Sequence, residues 1–248
     1  MLGLPLRVTD EGQREHFLSV FKTAQEFGYF DPHKQNIHHV TFGLVLNNYG
    51  KRFRTREGET VKLSDVLEEG LNSAFDRIAP ERKAEMEEEE LNKIAQAISV
   101  SCIKYADLCS RRDKDYVFDF DRMFDYKGNT AVYMLYAWIR VDKILKKADG
   151  KTVVTTDREL TADEIELCRA LVQWYDKIEI VDTSQQPHHL CDWVYKLAKI
   201  FTNFYANEYV IDPKTEEVDS IRLELCTATK LVLSTCFKVL GLMPVENM

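Results

Sequence analysis

The chain has 248 residues, 45% of them hydrophobic and 30% charged, with a formal net charge of −8. That length can bury the core of one large domain or two modest ones, no apolar run approaches bilayer-spanning length, and the amino terminus lacks the basic-then-apolar layout of a secretory leader. The acidic balance argues against indiscriminate nucleic-acid binding, and six cysteines without a C-x-x-C pair or a finger-spaced histidine read as core thiols in a reducing compartment, not as a metal site.

In chain order, the first part, to about Leu63, reads as mixed α and β. Asp10 with Gln13 forms a capping-box pattern opening a helix whose apolar positions are Phe17, Val20, Phe21 and Ala24. An apolar strand from Val40 to Leu46 and a turn at Asn47–Gly50 lead into Lys51-Arg52-Phe53-Arg54-Thr55-Arg56-Glu57-Gly58, four cations within six residues. A second short strand, Thr60 to Leu63, closes the expected hairpin. Such a loop is either a solvated basic turn or a phosphate site, since Arg forks match phosphate oxygens two at a time.

From Ser64 onward the pattern is helical. Leu91, Ile94, Ile98, Cys102, Tyr105 and Cys109 follow the 3.6 period, as do Leu190, Trp193, Leu197, Phe201 and Phe204, and then Ile221, Leu225, Ala228, Val232 and Val239. Thr161 with Glu164 is a second capping box. The region after about residue 86 is therefore expected to be an all-α bundle. A helix from Asn129 to Leu145 carries Tyr133 and Tyr136, three apart and so on one face, followed by Arg140, Lys143, Lys146 and Lys147. These tyrosines are either core packing or platforms for bases. Charge is segregated: acid gathers in Glu81–Glu90, Asp157–Glu166 and Asp212–Asp219, cations in Lys51–Arg56, Lys104–Lys114 and Arg140–Lys151.

Several segments in one order resemble arginyl-tRNA synthetases. Gln35–Leu46 (Q-N-I-H-H-V-T-F-G-L-V-L), followed by G-K-R-F-R-T-R-E-G-E-T-V-K-L, resembles that family's form of the class I K-M-S-K-S region. The likeness continues through Cys102–Leu108, Asp115–Met123, Gly128–Ala137 and the chain end Leu240–Met248, and opens with Val8-Thr9-Asp10-Glu11-Gly12-Gln13, similar to the family's V-x-D-x-G-Q. None of the six histidines begins the H-x-G-H element of class I enzymes. The resemblance thus implies the carboxy-terminal portion of a synthetase: mainly α, with an anticodon-binding helical bundle preceded by a remnant of an α/β, Rossmann-like catalytic domain. The expected divisions are 1–85 for the catalytic remnant, 86–128 for connecting stem-contact helices, and 129–248 for the anticodon-binding bundle.

The resemblance also implies roles. Arg54 and Arg56 would be catalytic, and Lys51, Arg54, Thr55 and Arg56, with His39, Phe42 and Gly43, would meet ATP. Arg54 stands where the family usually has Lys, and Glu57 where it commonly has a small residue, which places a carboxylate beside a phosphate site. Gln13 would accept from the arginine substrate, against the local reading of a helix cap; His39 is either adenine-facing or a satisfied, half-buried histidine. Tyr133, Tyr136, Arg140, Lys143, Tyr209 and Met248 would meet the anticodon loop. The intact enzyme would be a cytoplasmic arginine–tRNA ligase, a monomer away from membranes, using ATP with Mg²⁺, arginine and its tRNA. This chain alone, without H-x-G-H, is expected to be inactive and to hold no cofactor tightly. The alternative is a non-catalytic homologue that binds tRNA or another protein.

Overall fold

The computed structural model describes residues 6–29, 31–34, 37–46, 62–155 and 157–245. The chain divides into two units, Met1–Thr60 with Ser110–Asp119, and Val61–Cys109 with Phe120–Met248.

In the first unit, β1 (Leu6–Asp10) and β2 (His38–Phe42) pair in parallel, Leu6 opposite His38 and Asp10 opposite Phe42. A parallel pair needs a crossover, and α1 (Arg14–Glu26) supplies it. Asp10 accepts from the Gly12 N–H at 2.9 Å and caps a single 3-10 turn, Glu11–Gln13, before α1 begins. Phe17, Phe21 and Ala24 are half-buried, whereas Val20 is exposed.

The strand run breaks at Gly43 and resumes as β3 (Val45–Leu46), whose partner is β4 (Tyr116–Val117), in parallel. The turn and Thr60–Val61 of the expected hairpin lie outside the described residues. Leu63, past the cationic segment, is the first residue of a helix and not the last of a strand. The helix start is marked by Asp65, whose carboxylate accepts from the Lys62 backbone N–H at 3.3 Å.

The second unit is helical. In order come α2 (Leu63–Arg77), α3 (Pro80–Glu85), α4 (Glu88–Leu108), α5 (Phe120–Met123), α6 (Ala131–Ala148), α7 (Ala162–Val172), α8 (Trp174–Ser184), α9 (His188–Asn207) and α10 (Ser220–Leu240). One two-residue parallel pair, β5 (Val153–Val154) with β6 (Val218–Asp219), stitches the loops before α7 and α10. The main packing partners are α2 with α4, α6 with α10 and α9, and α7 with α9. Gly70 permits the first: a Cβ there would lie 2.7 Å from Ser99 Oγ and 2.9 Å from Ile103 Cδ1.

The stripe Leu190, Trp193, Leu197, Phe201 and Phe204 is buried along α9 as its period requires. On α10 the buried stripe is instead Leu225, Cys226, Thr229, Leu233, Cys236, Phe237 and Leu240, and Val239 faces solvent. The Thr161–Glu164 capping box forms in both directions, at 2.8 and 3.3 Å. Gly241 ends α10 in the left-handed conformation (φ 66°), and the Leu242 N–H returns to the Phe237 carbonyl at 2.8 Å. Among the described residues no helix is long and apolar enough to cross a membrane.

Candidate nucleic-acid interface

Thr130 starts α6 by accepting from the Tyr133 N–H at 3.3 Å. From that start, Tyr133, Tyr136, Arg140, Lys143 and Lys147 fall at steps of three and four residues and so share one face. Tyr133 is half-buried, its ring edge-on to Tyr195 at 5.4 Å and its hydroxyl 3.4 Å from Thr202 Oγ1. Tyr136 is 38% exposed.

The opposite wall comes from α9. Arg140 lies between two rings, its guanidinium carbon 5.8 Å from the Tyr136 centroid and 5.7 Å from that of Tyr205, within cation–π range. It also separates two clefts. One, of about 270 Å³, is lined by Tyr126, Tyr133, Tyr136, Arg140 and Thr202. The other, of about 560 Å³, is lined by Arg140, Lys143, Lys147, Tyr205, Tyr209 and their neighbours. Lys143 is exposed and Tyr209 is 69% exposed. An alternation of aromatic faces with cations can hold unstacked bases and backbone phosphates together.

Lys146, on the adjoining face, is engaged by Asp142 at 3.0 Å, and Lys230 meets the other oxygen of that carboxylate at 2.6 Å. Burial pushes the Asp142 carboxyl up, but the hydrogen bonds from Lys230 and Lys146 outweigh it and hold it below its ordinary value. Lys146 is thus tied to a buried carboxylate, whereas Lys143 and Lys147 line the cleft.

Tyr126, Tyr195, Thr202 and Tyr205 were not singled out from the sequence. Tyr205 follows Phe204 and sits on the neighbouring face of the same periodic helix, so a second-face reading of α9 could have found it. Tyr126 lies in a turn-rich loop with no period to read; its hydroxyl donates to the Arg77 carbonyl at 2.5 Å and its ring stands edge-on to Tyr136 at 6.0 Å.

In the first unit, Gln13 Nε2 donates to Asp10 Oδ2 at 2.8 Å. That bond uses the amide N–H and not its oxygen, so holding Asp10 and accepting from a guanidinium are compatible roles. His39 Nε2 lies 2.7 Å from Thr9 Oγ1, with the Phe17 ring 5.1 Å away, while Nδ1 is buried without a hydrogen-bond partner among the described residues. Phe42 is exposed. Gly43 has a local reason to be glycine: a Cβ would strike the Lys114 backbone, and the Gly43 N–H donates to the Arg112 carbonyl at 2.8 Å. Lys51, Arg54, Thr55, Arg56, Glu57 and Met248 lie outside the described residues.

Residues 4–120 match the catalytic domain of class I (R) tRNA synthetases, and residues 134–248 match the DALR anticodon binding domain. The class is therefore a class I tRNA synthetase catalytic domain joined to a helical anticodon-binding domain. Among curated relatives, "Probable arginine--tRNA ligase, cytoplasmic" of Caenorhabditis elegans is 42% identical over 97% of this chain and 36% of its own length. "Arginine--tRNA ligase, cytoplasmic" of Rattus norvegicus is 38% identical over 97% of this chain and 38% of its own. The crystal structure of Plasmodium falciparum arginyl-tRNA synthetase superposes with a TM-score of 0.78 at 28% identity, covering 98% of this chain and 41% of that one. The Thermus thermophilus arginyl-tRNA synthetase shares the fold, with a TM-score of 0.83 at 22% identity over 99% of this chain and 41% of that one. The chain belongs to the arginyl-tRNA synthetase family. It spans little more than a third of the length of these curated relatives.

Proposed function

We propose that the groove between α6 and α9 binds the anticodon loop of an arginine tRNA, and that the chain serves the ATP-dependent attachment of arginine to that tRNA in the cytoplasm. The observation that carries this reading is Arg140 held between the rings of Tyr136 and Tyr205 where two clefts meet, with Lys143 and Lys147 along the second. The rings offer faces to bases whatever their identity, and the lysines offer charge to phosphates. In the first unit, the oxygen of Gln13 and the Nδ1 of His39, without a partner among the described residues, suit the arginine and nucleotide ends of the reaction. Arg54 and Arg56 would stabilise the charge that develops on the phosphates. Magnesium, in this reading, would enter with the nucleotide's phosphates.

Tyr136→Ala should weaken binding of an arginine tRNA transcript by about 1–3 kcal/mol while leaving the thermal midpoint within a degree or two, because the ring is partly exposed. Unchanged affinity in a folded variant would refute the groove assignment.

Lys143→Ala should act differently. Its ammonium is exposed beside the second cleft, so its loss should lower the slope of log K against log salt by about 1. Preference between tRNAs should not change. A shift in tRNA preference at constant slope would mean that Lys143 reads bases and not phosphate.

A further inference from the structure

We propose that Arg222, backed by the buried Glu164, is a positioning residue for the groove: it fixes the backbone of Tyr209 so that the ring is presented to RNA. This rests on the anticodon-loop reading of the groove.

Tyr209 belongs to no regular element. It lies two residues past the end of α9 at Asn207, and its ring stands out into solvent. A stacking platform on such a segment loses affinity to whatever freedom it must surrender on binding. Here the backbone beneath the ring is tied at three successive residues. The Glu208 N–H donates to the Phe204 carbonyl at 2.9 Å, and the Glu208 carboxylate pairs with Arg222 Nη2. The Tyr209 carbonyl accepts from Arg222 Nη1 at 2.8 Å. The Val210 carbonyl accepts from the Asp219 N–H at 3.0 Å.

Arg222 is itself held from behind. Its Nε donates to Glu164 Oε1 at 2.7 Å, and its backbone N–H is capped by Asp219 Oδ1 at 3.1 Å. Glu164, fully buried, also takes both terminal nitrogens of Arg158, at 2.7 and 2.8 Å, and Arg158 reaches Asp219 Oδ2 at 2.9 Å. The guanidinium serves Glu164, Glu208 and the Tyr209 carbonyl from three separate nitrogens, positions that a single ammonium nitrogen cannot all occupy. With two carboxylates on it and a side chain only 16% exposed, Arg222 has little charge to offer a phosphate. Its contribution to RNA binding is therefore geometric.

The test measures affinity of the full chain for an arginine tRNA transcript in the wild type, Tyr209→Ala, Arg222→Ala and the double variant. Arg158 still covers Glu164 in Arg222→Ala, so the fold should persist; Arg222→Lys replaces that variant if it does not. Arg222→Ala should weaken binding at least about fivefold, the lower end of the loss of one stacking platform. Tyr209→Ala should cost as much, and the double variant should bind within about twofold of the weaker single one, the signature of two residues acting as a unit. Backbone exchange over residues 207–211 should quicken without change in α6, and the salt slope should stay as it was. The positioning role is overturned if Arg222→Ala binds normally, if the two losses multiply, or if the slope falls by about 1, which would make Arg222 a phosphate contact. If Tyr136→Ala and Tyr209→Ala both bind like the wild type, the groove reading itself falls and takes this one with it. Weakened tyrosine variants beside an inert Arg222→Ala would sink the positioning role alone.

Discussion

Glu164→Ala should lower the unfolding free energy of the helical unit by about 3–5 kcal/mol, the usual cost of removing one partner from a buried ionic network. The carboxylate is wholly buried and accepts from Arg158 Nη1 and Nη2, Arg222 Nε and the Thr161 N–H. Truncation removes these bonds and leaves two guanidiniums facing a cavity, with Asp219 and Glu208 as their remaining carboxylates. The figure measures that imbalance and not the net worth of the network, since an apolar replacement of the whole cluster could cost far less.

The pH dependence follows from the same bonds. The hydrogen bond from Arg158 overcomes burial and, with those from Arg222 and Thr161, holds the Glu164 carboxyl down at about 2, against an ordinary value of 4.5. A depressed carboxylate stabilises the fold above its unfolded pKa, and that contribution is lost as pH falls through the folded value. The interval corresponds to about 3 kcal/mol. Urea unfolding followed by circular dichroism should therefore show the full gap between wild type and Glu164→Ala above about pH 4.5, closing toward pH 2. A gap under about 1 kcal/mol at pH 7 would mean that the carboxylate is not what holds these helices.

Glu164 also shows where sequence reading stops. Its role as a cap three residues after Thr161 is local and was legible as a pattern. Its bonds to Arg222, 58 residues on, depend on how α7 and α10 pack, and no spacing rule encodes them. The α9 stripe was legible because apolar and polar faces alternate with the helical period. On α10 apolar residues lie nearly all round, the contrast between faces is low, and the expected stripe missed Leu233 and Phe237 while including the exposed Val239. In the first unit, β3 pairs with Tyr116–Val117, some seventy residues away, a partner that no local spacing rule could have named. The site divides the same way. Tyr133, Tyr136, Arg140 and Lys143 share one helix and could be gathered from spacing alone, whereas Tyr205 and Tyr126 join them only through tertiary packing.

Tyr105→Ala should cost about 3–5 kcal/mol, as loss of a large buried ring does, and Tyr105→Phe about 1–3 kcal/mol, as expected when buried polar partners are left unmet. The ring is 1% exposed. The hydroxyl lies 2.6 Å from Asn129 Oδ1 and 3.1 Å from the Cys191 carbonyl, with one proton to donate between them. Asn129 Nδ2 in turn donates to Asp192 Oδ1 at 3.1 Å. One phenol on α4 thus joins the approach to α6 and the first turn of α9, the two walls of the groove. Burial pushes the phenol's pKa up, so it remains a donor throughout the working pH range. Because Tyr105 touches these walls at their bases and away from the exposed rings, Tyr105→Phe should destabilise the helical unit while affinity for tRNA, measured well below its midpoint, stays within about twofold. Comparing the two variants separates ring from hydroxyl. A Phe variant as stable as the wild type would show that Asn129 and the Cys191 carbonyl find other partners, and that the walls are held apart from this junction by packing alone.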